Sequence, residues 1–108
     1  MKKKFRIQAF SSDPRHSSIE IIQKLIDNSK GYLMNYKMFS DMQMTLYFEI
    51  KEYLLLNFYH RLRKHMLVTG FDLDNYDPHS KQTCRVYLNV SFVKAKGKLR
   101  LKIPKVPG

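Results

Sequence analysis

Five basic residues fall at every second position, Lys94, Lys96, Lys98, Arg100 and Lys102, with Leu99 and Leu101 between the later ones and Ile103 after them. A strand turns successive side chains to opposite faces, so this spacing sorts a positive stripe from an apolar one. The stripe has two readings. It can neutralise the phosphates of RNA or single-stranded DNA, or it can keep an exposed sheet edge from pairing with other chains. The charge is reinforced by its surroundings, because no acidic residue follows Asp77.

A second group lies near the N-terminus, where Asp13, Arg15, His16 and Ser17 cluster just before a helical pattern. The free amides at a helix start favour a carboxylate or phosphate, and Arg15 would add a fixed charge. An ordinary capped helix start is the alternative. Tyr32, Tyr36, Tyr47 and Tyr87 fall in strand-like runs. From a sheet face they could stack bases, as single-strand binders do, or they could serve as edge and interface residues.

Other reactive residues point to packing or solvation rather than catalysis. His60 and His65 are five apart on a helix, roughly 140° around its axis, and do not share a ligand direction. His16 and His79 belong to no metal-binding spacing. Asp72, Asp74 and Asp77 lack the glycine and distal glutamate of a calcium loop. Cys84, the only cysteine, alternates with Val86 and Leu88 as a core residue would. No residues present a nucleophile with an obvious partner base. The expectation is a protein that is not an enzyme and uses no metal or cofactor.

The chain has 108 residues, a net charge of +11 and 44% hydrophobic residues. That suits one folded domain with a modest core. Residues 55–108 hold eleven basic and three acidic residues, so most of the positive charge lies in the second half. An anionic partner is expected. The opening Met-Lys-Lys-Lys-Phe mimics the start of a secretory signal, but no apolar run follows. A cytoplasmic protein with no membrane partner is the default reading.

Hydrophobic periodicity supplies the elements that must position these groups. Residues 3–11 alternate as a strand. Ser17 and Glu20 have capping-box spacing, and Ile19, Ile22, Leu25 and Ile26 predict a helix over about 18–29, stopped by Gly31. Residues 32–39 and 44–50 alternate around Ser40-Asp41, the pattern of a hairpin. From Glu52 the period lengthens again, with Leu55, Phe58, Leu62 and Met66 on one helical face. Leu67 to Leu73 reads as a short strand, and the polar stretch to Ser80 as a loop. Residues 84–92 and 98–103 then form a terminal hairpin.

The expected fold is therefore α+β, a ferredoxin-like βαββαβ sandwich over 3–73 with a C-terminal hairpin over 82–103 extending its sheet. Tyr32, Met34, Tyr36 and Met38 give the second strand a second apolar face, which predicts a homodimer. The stretch Phe5-Arg-Ile-Gln-Ala-Phe-Ser-Ser-Asp-Pro-Arg-His, with Met44-Thr-Leu-Tyr-Phe-Glu-Ile, resembles the ACT-type ligand-binding modules. That resemblance implies a regulatory module that holds a small effector at a dimer interface. The holding role would fall on Asp13, Arg15, His16 and Ser17.

Overall fold

A computed structural model describes residues 2–93 of the chain. Five strands and two helices follow one another as β1 (Lys4–Ser11), α1 (Arg15–Asn28), β2 (Tyr32–Ser40), β3 (Gln43–Lys51), α2 (Glu52–Leu62), β4 (Leu67–Thr69) and β5 (Thr83–Phe92). A 3-10 turn at Leu73–Asn75 interrupts the long polar loop between β4 and β5. The fold is α+β, with one mixed sheet ordered β2-β3-β5-β1-β4.

Strand alternation builds the core. Phe5, Ile7 and Ala9 of β1, Met44, Leu46, Phe48 and Ile50 of β3, and Cys84, Val86, Leu88 and Val90 of β5 all bury on one face. The helices cover that face with Ile22, Leu25 and Ile26 from α1 and Leu55, Phe58 and Leu62 from α2. Among the described residues, side chains of the other parity on β1, β3 and β5 carry no helical cover.

β5 joins the sheet at its centre, parallel to β1 and antiparallel to β3. β5 thus belongs to the sheet that the expected terminal hairpin was to extend, at its centre. It lies between β3 and β1, and the returning strand expected at 98–103 lies outside the described residues. Residues 94–103, which hold the basic stripe, lie outside the described residues.

Both ends of α1 differ from the sequence reading. The helix begins at Arg15 after Pro14, which has extended backbone suited to a helix entrance, and no side chain caps it. Ser17 therefore lies inside the first turn. The polar anchor is Ser18, buried and hydrogen-bonded through its hydroxyl to that of Ser11 at 2.8 Å. At the far end the left-handed residue is Lys30, with φ of 60°, rather than Gly31. The Gly31 amide donates to the Ile26 carbonyl and the Lys30 amide to that of Asp27, a Schellman closure. Gly31 is required for a different reason. A Cβ there would meet the Glu49 carbonyl oxygen and Ile26 Cγ2, both at 3.0 Å.

Candidate nucleic-acid interface

The uncovered sheet face organises its side chains in rows, because strand register sets residues of four strands side by side. Arg6 of β1 lies beside Tyr87 of β5, Tyr87 beside Tyr47 of β3, and Tyr47 beside Asn35 of β2. The next row, two residues along, reads Gln8, Asn89, Thr45 and Lys37 by the same pairings. On the other side stand Lys4, Arg85, Glu49 and Tyr32.

The central row is a continuous stack. The Tyr47 and Tyr87 rings are 5.0 Å apart between centroids and only 12° from parallel. The Arg6 guanidinium sits 5.6 Å from the Tyr87 ring centroid, within reach of a cation–π contact. The row borders a cleft of about 490 Å³, lined by Arg6, Tyr87 and Tyr47 together with Asn35, Lys37 and Phe39 of β2, Thr45 of β3 and Asn89 of β5. The Thr45 hydroxyl donates to the Asn89 side-chain carbonyl, which fixes the amide and leaves its NH₂ group free to donate.

Charge on this face is mainly positive. Glu49 is its acidic member, and it accepts from Lys2 at 2.9 Å and from Arg85 at 3.4 Å. The Lys2 hydrogen bond holds its carboxyl below the ordinary carboxylate value, against a smaller upward push from burial. With Glu49 occupied in this way, Arg6, Lys4 and Lys37 set the potential that an approaching anion meets.

Of the four tyrosines singled out in the sequence, the fold brings Tyr47 and Tyr87 together. Tyr32 stands in the neighbouring row, and Tyr36 lies opposite the buried Leu46, toward the helix side. Sequence reasoning missed Arg6, Lys37, Asn35 and Asn89. They lie at four positions on three different strands, and only register places them in one patch.

The helix-start group meets a different fate. Asp13, Arg15 and His16 line a cleft of about 580 Å³ between the start of α1 and the end of β2, closed by Tyr36, Met38, Asp41 and Phe92. Ser17 does not line it. Arg15 reaches Asp41 at 3.4 Å, and Asp13 is a second nearby carboxylate, so the local charge is mixed.

Cys84 is buried in the core, and burial pushes its thiol up to about 12. It stays protonated at neutral pH and is a poor nucleophile. Among the described residues, no three of His, Cys, Asp or Glu gather as metal ligands, and no helix is long and apolar enough to cross a membrane.

Comparison with protein-family models, curated proteins and solved structures yields no match.

Proposed function

We propose that this protein is a non-catalytic binding module that holds single-stranded RNA or DNA on the open face of its sheet. The observation that carries the reading is the row Arg6–Tyr87–Tyr47–Asn35, whose stack borders the cleft beside Tyr47. A base entering there would extend the stack, with its edge facing the amides of Asn35 and Asn89. Lys37, Arg6 and Lys4 would take the adjoining phosphates. Stacking on an aromatic ring contributes about 1–3 kcal/mol per base and tolerates any sequence. The stripe Lys94, Lys96, Lys98, Arg100 and Lys102 begins two residues after β5 ends and adds positive charge in sequence.

Kinship is part of the same proposal. The first six elements follow the split β-α-β order, and we read the fold as ferredoxin-like with β5 inserted at the centre of the sheet. The lone cysteine, kept as a thiol, suits a reducing compartment, and we place the protein in the cytoplasm.

Filter binding of a single-stranded oligonucleotide at several salt concentrations tests the reading. Each phosphate neutralised contributes about −0.7 to the slope of log K against log salt. Arg6→Gln with Lys37→Gln should therefore flatten the slope by about 1.4. Tyr47→Leu, which keeps an apolar side chain on the strand, should weaken binding about tenfold with little change in slope. Binding unaffected by all three substitutions would remove the open face from consideration.

One observation favours a second reading. The cleft at the start of α1 gathers Asp13, Arg15 and His16, as the ACT-type resemblance implies for a small anionic or amino-acid effector. A thermal-shift screen of amino acids and nucleotides, repeated with Arg15→Ala, separates the two. A shift lost in Arg15→Ala supports this site, and no shift with any compound argues against it.

A further inference from the structure

The two edges of the sheet are built differently. β4 is three residues long, which blunts its edge against further pairing. β2 runs for nine residues, carries no proline and has Lys37 as its only charge. Its apolar side chains face water, with Tyr32 at 68% and Phe39 at 65% exposed and Met34, Tyr36 and Met38 between about a third and a half. Tyr36 donates its backbone N–H to the Asn35 side-chain oxygen at 2.8 Å, not to a strand. Its protective devices are one charge, Lys37, and two pairing irregularities near its ends, which leave the stretch 35–38 between them regular and open.

We propose that β2 pairs antiparallel with β2 of a second copy of this chain, across a two-fold axis perpendicular to the sheet. A single strand satisfies both sides of such an interface, so no partner with a separate complementary sequence is needed. The register centres on Tyr36, in the stretch between the two irregularities of the β2–β3 pairing at Leu33/Asn35 and Met38/Ser40. Tyr36 of each copy then exchanges backbone hydrogen bonds with the other, replacing the Asn35 side chain. Asn35 of one copy stands beside Lys37 of the other. Aromatic side chains bury on the order of 150–250 Å² each when fully covered. The exposed rings and methionines of β2 can thus supply much of the roughly 800 Å² per partner of a standard interface. The two open faces become one ten-stranded surface, and the cleft beside Tyr47, walled by β2, gains a second wall from the other copy. The pairing does not depend on what that face binds.

Sedimentation equilibrium of the full chain at tens of micromolar should give twice the 12.9 kDa chain mass. Met34→Lys with Met38→Lys, both at exposed positions, should halve that mass while leaving the far-ultraviolet dichroism unchanged. Tyr36→Cys supplies geometry that a monomer cannot. Facing residues of a hydrogen-bonded pair are about 5.5 Å apart at Cα, inside the range of a disulfide. Mild oxidation should yield a covalent dimer through Tyr36→Cys and none through Asn57→Cys, an exposed control on α2. Cys84 is buried and should not interfere. A monomeric full chain overturns the proposal, whether residues 98–103 or nothing covers β2. A dimer that survives the lysine substitutions and does not cross-link through Tyr36→Cys lies on another surface and overturns it equally.

Discussion

Single residues show how burial converts ordinary groups into structural ones. Glu52 is 1% exposed, accepts from Lys3 at 2.9 Å and takes the Asp77 amide at 2.7 Å, which ties the N-terminus and the β4–β5 loop to the start of α2. Lys3 is well exposed, so the ion pair itself is screened and the half-buried hydrogen bond from the Asp77 amide carries the effect. Glu52→Ala should cost about 1–3 kcal/mol in urea unfolding, because the Asp77 amide loses its acceptor. Cys84 makes a pH prediction. In the unfolded chain a thiol ionises near pH 8.5, whereas in the fold burial first, and the Glu52 charge second, raise it to about 12. The unfolded state is thus favoured first as pH rises. The Cys84 contribution is whole below about pH 8 and declines from there toward pH 12. Between pH 7 and pH 10 the wild type should lose more stability than Cys84→Ala, and equal losses would contradict this. Cys84 was legible as a core residue from its neighbours, but the role of Glu52 was not. A charged residue at the first position of a helix gives no sign that its carboxylate will be buried.

At the scale of elements, periodicity located nearly every strand and helix, because the change between a period of two and about 3.6 is a local property of the chain. Element ends were less legible. Ser17 and Glu20 have capping spacing, yet Pro14 sets the helix start earlier and Ser18 is drawn inward to Ser11. Gly31 looked like the left-handed stop, yet its glycine character answers a close approach to Glu49, and Lys30 bears the positive φ. A non-glycine residue there costs roughly 1 kcal/mol. Lys30→Gly should therefore stabilise the protein by about that amount, measured by chemical denaturation. Gly31→Ala should destabilise it by crowding backbone. Opposite signs at adjacent positions are a sharp check on the helix end.

For the whole molecule, the arrangement of strands was the least legible feature, and the candidate interface depends on it. The alternation of Cys84 to Phe92 announces a strand with one buried face, but nothing in it says which strands flank it. The last strand of the described residues, β5, lies between β3 and β1. That placement brings Tyr87 from the end of the chain between Tyr47 and Arg6. Two tyrosines forty residues apart in sequence, Tyr47 and Tyr87, thus become one platform. Photo-cross-linking a 4-thiouridine oligonucleotide to the full chain, followed by peptide mapping, tests this platform most directly. Cross-links should fall on the outward residues of β3 and β5, Tyr47 and Tyr87 foremost, and should diminish in Arg6→Gln with Lys37→Gln. Cross-links confined to α1 and α2, on the opposite side of the sheet, would contradict the open face as the binding surface.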